Sequence, residues 1–160
     1  MNKINVLFVC MGNLCRSPTA EAVFTHYVNE AGLAKRILID SAGTHVHTAG
    51  DPPEERARRA ALKRGYDMNR SRTRRVHAAD FIRFDYLLAM DDSNLSLLTR
   101  NCPQEYAAKL ALLMSYGASA QPIPVPDPYY GGPQGFERVL DMVEDAAQGL
   151  LRHIRSQHFL

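Results

Sequence analysis

The first apolar segment of the chain, Ile4 to Val9, is short and β-rich, the pattern of a parallel strand buried on both faces. After the loop that follows, Ser17-Pro18 offers an N-cap and a proline for the first helical position. Ala20, Val23, Phe24, Tyr27 and Val28 recur at helical spacing and predict a helix that Gly32 ends. A second strand is predicted over Arg36 to Asp40, with S-A-G-T-H-V-H-T-A-G-D-P-P beyond it as a loop. Pro53 to Arg64 reads as a basic helix closed by Gly65, Ala78 to Phe81 as a short helical turn, and Tyr86 to Ala89 as a third strand. Asp91-Asp92-Ser93-Asn94-Leu95 opens another helix with its acids at the positive end of the dipole. The latter half of Ala107 to Met114 reads as a fourth strand. Beyond the proline-rich loop, Phe136, Val139, Leu140, Val143, Ala147, Leu150, Leu151 and Ile154 predict the longest helix, about Gln134 to Ser156.

Strands alternating with helices imply βαβ units, right-handed crossovers and a parallel sheet covered on both faces, an α/β fold. Ligands in such sheets bind beyond the carboxyl ends of the strands. The stretch V-C-M-G-N-L-C-R-S-P-T-A-E, residues 9 to 21, stands at such a position, straight after the first strand.

That stretch carries a cysteine and an arginine as C-x5-R, followed by Ser and Pro. The loop runs onto a helix N-terminus, where free backbone N–H groups and the macrodipole favour an anion. Gly12 and Asn13 tolerate positive φ, so the loop can curl its amides inward as a nest. Arg16 can hold two oxygens of a phosphate bidentately, which lysine does not copy. Cys10 then sits beneath the anion, in surroundings that favour the nucleophilic thiolate and suit attack on phosphorus. Zinc ligation fits poorly, since Cys10 and Cys15 lack a second pair and Cys102 lies far along the chain. His45 and His47 read as loop surface, and a Walker-type loop is excluded because no G-K-[ST] occurs.

Composition adds boundaries. One domain, residues 1–160, is expected, because no linker, repeat or composition break divides the chain. A net charge of +2 is too small to argue for nucleic acid. The N-terminus has no signal-peptide cleavage pattern, and no apolar segment approaches the ~18 residues of a membrane span. Three cysteines in that setting point to a reducing, cytoplasmic location with free thiols. Arg56 to Arg75 holds nine Lys or Arg and one acid, Asp67. The stretch reads as a solvated face, with docking of acidic or phosphorylated segments as the alternative.

V-C-M-G-N-L-C-R-S-P-T-A-E-A resembles the signature of the low-molecular-weight protein tyrosine phosphatases. D-P-Y-Y at Asp127 to Tyr130, D-S-A-G-T at Asp40 to Thr44 and M-D-D-S-N-L at Met90 to Leu95 also resemble that family, so the likeness spans the chain. It implies a three-layer α/β/α domain with a four-stranded parallel sheet ordered 2-1-3-4 and the phosphate loop after strand one. The activity implied is hydrolysis of phosphotyrosine through a phosphocysteine on Cys10, with Arg16 holding phosphate and Asp127 as general acid and base. No metal or cofactor is expected. Substrate contacts are expected from Met11, Gly12, Asn13, Leu14, Cys15 and Ser17 of the loop. Tyr129 and Tyr130 would form one wall of the cleft and His47 part of the other, with Ser41 supporting the loop from behind. Cys15 would form a reversible protective disulfide with Cys10, or serve only in packing. Expected partners are phosphotyrosine proteins, a cognate tyrosine kinase among the candidates; the chain is expected to be monomeric or weakly dimeric, without nucleic acid or membrane insertion.

Three rival functions differ in residues. A thiol-dependent arsenate reductase shares the fold and loop but needs further relay cysteines, and only Cys102 is left. The protein-arginine phosphatase branch, by resemblance, has threonine where this chain has Leu14 and lacks the double tyrosine. A phosphotyrosine-binding module without turnover needs neither Cys10 nor Asp127.

Overall fold

The structure, a computed structural model, describes residues 2–129 and 131–160. Strands β1 (Ile4–Cys10), β2 (Ile37–Gly43), β3 (Tyr86–Ala89) and β4 (Leu110–Leu112) form one sheet in the order β2-β1-β3-β4. All three pairings are parallel, as the resemblance implies. Helices α1 (Arg16–Glu30), α2 (Glu55–Lys63) and α5 (Pro133–His158) cover one face, and α3 (Ala78–Arg83) and α4 (Asp92–Asn101) the other. Short 3₁₀ turns at Gln104–Lys109 and Leu113–Tyr116 flank β4.

The alternation along β1 builds both cores. Ile4, Val6, Phe8 and Cys10 join the core under α1 and α5, while Leu7 and Val9 join Phe81, Phe84 and Leu98 on the opposite face. Phe8 meets Phe24 of α1 edge to face at 5.7 Å, a pairing worth ~1 kcal/mol beyond area burial. Among the described residues no helix is long and apolar enough to cross a membrane.

Two element ends move the loop chemistry relative to the sequence expectation. Helix α1 starts at Arg16 with Cys15 as its N-cap, so Ser17 is not the cap and Pro18 not the first helical residue. The Ser17 hydroxyl is drawn instead to Cys10 and Asn13. Pro18 still falls in the first turn, where a missing N–H costs nothing. Strand β2 runs on through Ser41-Ala42-Gly43, which pair with Phe8-Val9-Cys10. Small and polar residues give little strand signal by themselves; pairing with the central strand overrides that. The remaining helices and β4 keep their predicted places, with ends shifted by a few residues.

Helix α5 is pressed against the turn at Leu113–Tyr116 at Gly149, where a Cβ would land directly on the Tyr116 carbonyl oxygen. Glycine inside a helix normally costs up to about 1 kcal/mol against alanine. Here backbone contact decides the sign. Gly149→Ala is expected to destabilise by about 2 kcal/mol, lowering the melting temperature by roughly 4–8 °C in calorimetry. A rise in melting temperature would mean that the turn yields freely.

Candidate active site

Between the end of β1 and the start of α1, residues 11–15 form a loop whose carbonyls face away from its centre. The Cys10, Met11, Leu14 and Cys15 carbonyls accept from the N–H groups of Thr44, His45, Glu54 and Thr19. Among the described residues, none of the N–H groups of 11–15 donates to another backbone carbonyl. Asn13 takes the left-handed conformation, φ 59°, which asparagine tolerates better than most residues. Gly12, the other residue expected to supply positive φ, does not use it. Gly43 lies so close beneath the loop that a Cβ there would sit 2.6 Å from the Met11 carbonyl oxygen and 3.0 Å from the Asn13 nitrogen.

The Asn13 side chain ties this loop to three other segments. Its Oδ1 accepts the Arg74 backbone N–H at 3.0 Å, which fixes the orientation of the amide. Nδ2 must then donate, to Ser17 Oγ at 2.8 Å and to Ser41 Oγ at 3.1 Å. Ser41 sends its own proton to Glu21 Oε1 at 2.6 Å, and Ser71 Oγ donates to the same oxygen at 3.0 Å. Burial pushes the Glu21 carboxyl above its ordinary range, against the pull of those two hydroxyls. Ser17 Oγ stands 2.9 Å from Cys10 Sγ, with the Ala42 carbonyl as a more distant acceptor at 3.4 Å. Ser17 Oγ thus accepts from Asn13 and has both the Cys10 sulfur and the Ala42 carbonyl within reach.

Arg16 is 4% exposed, and its position is set by the far side of the sheet. Its Nη1 donates to Asp91 Oδ2 at 2.7 Å and to the Val125 carbonyl at 3.1 Å. Asp91 uses its other oxygen to cap α4 through the Asn94 N–H. Asp127 Oδ2 is 3.9 Å from Arg16 Nη2, and Asp127 Oδ1 accepts the Tyr129 N–H at 3.0 Å, closing the turn that Pro128 begins. Arg56 holds Tyr129 by donating to its carbonyl at 2.9 Å, with the guanidinium carbon 5.5 Å from the ring centre.

These groups surround a cleft of about 260 Å³. Cys10, Arg16 and Asp127 line it together, along with Met11, Gly12, Leu14 and Cys15 of the loop. Tyr129 and the histidines His45 and His47 complete the lining. Tyr130 lies outside the described residues. The side chains of Asn13, Ser17 and Ser41 stay behind the loop, where they are buried.

A family model for low molecular weight phosphotyrosine protein phosphatases matches residues 5–159. This chain belongs to that family. It is 43% identical over 155 residues to a low molecular weight protein-tyrosine-phosphatase of Streptomyces coelicolor, covering 95% of this chain and 94% of that one. It is 44% identical over 139 residues to the low molecular weight phosphotyrosine protein phosphatase of Gallus gallus, covering 86% and 87% of the two chains. A crystal structure of a protein tyrosine phosphatase from Entamoeba histolytica superposes with a TM-score of 0.93 at 38% identity, covering 98% of this chain and 99% of that one.

In this phosphatase chain four supporting residues escape a reading of the sequence: Glu21, Ser71, Arg74 and Asp91. Asp91 has a usable signal, since it follows the carboxyl end of a parallel strand, where sites collect. Ser71 and Arg74 have none, since their partners Glu21 and Asn13 lie 50 and 61 residues away. The basic stretch also divides. Arg74 is locked by Asp40 and Asp80, and Arg64 by Glu137, Asp141 and Glu144 of α5. Arg72 donates to the carbonyls of Asn69 and Ser71.

Both loop cysteines are free thiols. Burial, reinforced by nearby Glu54, Cys10 and Asp127, pushes the Cys15 thiol from 9.0 up to about 12. At pH 8 that leaves about a thousandfold less thiolate than a free thiol would carry. Peptide-mapped iodoacetamide labelling at pH 8 is therefore expected to modify Cys15 at least about a hundredfold more slowly in the folded protein than in urea. Equal rates would show that the thiol is not held buried.

Proposed function

We propose that the chain is a protein tyrosine phosphatase in which Cys10 is the nucleophile, Arg16 the phosphate clamp and Asp127 the general acid and base. The observation that carries this reading is the convergence of these three side chains on one cleft, with the Ser17 hydroxyl 2.9 Å from the Cys10 sulfur.

The chemistry runs in two displacements. Cys10 attacks phosphorus; the S–P bond forms as the bond to the tyrosyl oxygen breaks, and Asp127 gives its proton to the departing phenolate. Asp127 then takes a proton from water, which attacks phosphorus and releases inorganic phosphate with the thiolate regenerated. Arg16 meets the equatorial oxygens through the Nε and Nη2 edge, because Nη1 is spent on Asp91 and Val125. The N–H groups of Met11, Gly12, Asn13, Leu14 and Cys15, with that of Ser17 at the helix start, supply further donors to the charge that develops there. Tyr129, with the Arg56 guanidinium over its ring, offers a face for the substrate's phenyl ring, with His47 also in the cleft.

The rivals fare worse. Helix α4 begins beside Arg16's partner Asp91 and ends at Cys102, a span of about 15 Å, so Cys102 is not placed for the thiol relay of an arsenate reductase. Leu14, the position that marks the arginine-phosphatase branch, lies in the cleft lining as an apolar side chain.

Cys10→Ser is expected to reduce hydrolysis of a phosphotyrosine peptide by about 10⁴-fold or more while inorganic vanadate or phosphate still binds. Full activity in that variant overturns the scheme. Asp127→Ala is expected to slow phosphotyrosine hydrolysis about 10²–10⁴-fold, with a steeper dependence on leaving-group pKa across a series of aryl phosphates. An unchanged dependence removes Asp127 from the role of acid.

A further inference from the structure

A second cavity, about 380 Å³, opens on the other side of the His45 wall. Thr44 and His45 separate it from the Cys10 cleft, and His45 lines both. Its floor is apolar, built from Val76, Phe81, Leu97 and Leu98 where α3 and α4 meet the carboxyl end of β2. Its charge is one-sided. Arg75 stands on the rim and no carboxylate belongs to the lining. Among the described residues Arg75 has no carboxylate within 4.0 Å, whereas its neighbour Arg74 is paired with both Asp40 and Asp80.

The wall and the rim are rigidly joined to the catalytic loop. The Thr44 and His45 N–H groups donate to the Cys10 and Met11 carbonyls at 2.9 and 2.8 Å. On the other side Gly43 N–H donates to the Arg74 carbonyl, and Val76 N–H to the Gly43 carbonyl. Segment 74–76 thus continues the sheet past β2 and fixes where the Arg75 side chain starts. The second cavity therefore holds a constant place relative to the phosphate site.

We propose that this cavity is a specificity subsite for the polypeptide flanking the substrate's phosphotyrosine. It accepts an apolar side chain on the Val76–Phe81–Leu98 floor and an adjacent carboxylate at Arg75. An extended chain advances ~3.3 Å per residue, so a residue within about three positions of the phosphotyrosine can cross the wall at His45. Continuity with the cleft and the unbalanced guanidinium favour a substrate segment over a separate small ligand. Apolar burial and one charge pair at this depth separate good from poor sequences by about tenfold, a scale typical of a single pocket. The inference rests on the phosphatase reading above and deepens it.

The test compares kcat/KM for phosphotyrosine peptides that differ only near the phosphotyrosine. Leucine and aspartate are placed there in one set, alanine in a second, and leucine with lysine in a third. Para-nitrophenyl phosphate, which reaches only the Cys10 cleft, is the reference substrate. Wild type is expected to favour the leucine–aspartate set about tenfold over alanine. Arg75→Glu is expected to invert the preference between aspartate and lysine. Ala78→Trp, at an exposed position on the cavity edge, is expected to abolish the leucine preference. Both variants should leave turnover of para-nitrophenyl phosphate unchanged. Equal rates for all three peptide sets, or a preference that survives both variants, overturns the subsite while leaving the phosphatase reading intact. So does an equal loss on peptide and para-nitrophenyl phosphate, which marks a structural effect. Absence of para-nitrophenyl phosphate hydrolysis in wild type overturns the phosphatase reading, and the subsite with it.

Discussion

A single amide, the side chain of Asn13, settles the geometry on which the rest of the site depends. Its oxygen is committed to the Arg74 N–H, so both of its hydrogens go to serine hydroxyls. Further along, Ser41 donates to Glu21, and the Ser17 hydroxyl lies against the Cys10 sulfur. A network of this kind, in which each member is satisfied, holds one arrangement rather than several. The same contacts keep the loop's polar side chains behind it. The cleft is left to Cys10, Arg16 and Asp127 and to the Met11 and Leu14 side chains of the loop. A buried loop of bare amides would be expensive without an anion; on the floor of an open cleft, water or phosphate can satisfy them.

The second organising contact crosses the sheet. Arg16 belongs to the first turn of α1, yet its position is set by Asp91 at the start of α4 and by the carbonyl of Val125. Val125 is itself tied to β3 through the Met90 carbonyl at 2.8 Å. One guanidinium therefore gathers three segments that are far apart in sequence, and Asp127 arrives two residues after the point of attachment. The Cys10 loop and the Asp127 segment share a fixed cation instead of touching each other.

Much of this was legible in the chain itself, for physical reasons. Short unbroken apolar runs are favoured as central parallel strands, so β1 and β3 were placed well. C-x5-R between a strand and a helix has few uses other than holding an oxyanion, and Cys10, Arg16 and Asp127 do meet. The failures have a common cause. Ser17 looked like a cap because serine before proline usually is one; a partner at the end of β1 claimed its hydroxyl. Ser41-Ala42-Gly43 looked like loop because its strand character comes entirely from pairing with β1. Arg74 looked like solvated surface because nothing nearby in sequence reveals Asp40, Asp80 or Asn13 as its partners. Local chemistry can be read along a chain, but partnership between distant residues cannot.

Segment 74–76 has a further consequence, for solubility. β2 is an edge strand, and an open parallel edge is a template on which another chain can build. At the carboxyl end of β2 that edge is taken up by Gly43's bonds to Arg74 and Val76, while β4, the opposite edge, is only three residues long. The stretch that steadies the Cys10 loop is thus also a guard against self-association. Sequence changes that loosen it would expose a sticky edge as well as disorder the loop, so molecules damaged there would tend to be lost to aggregation rather than persist as folded, inactive copies.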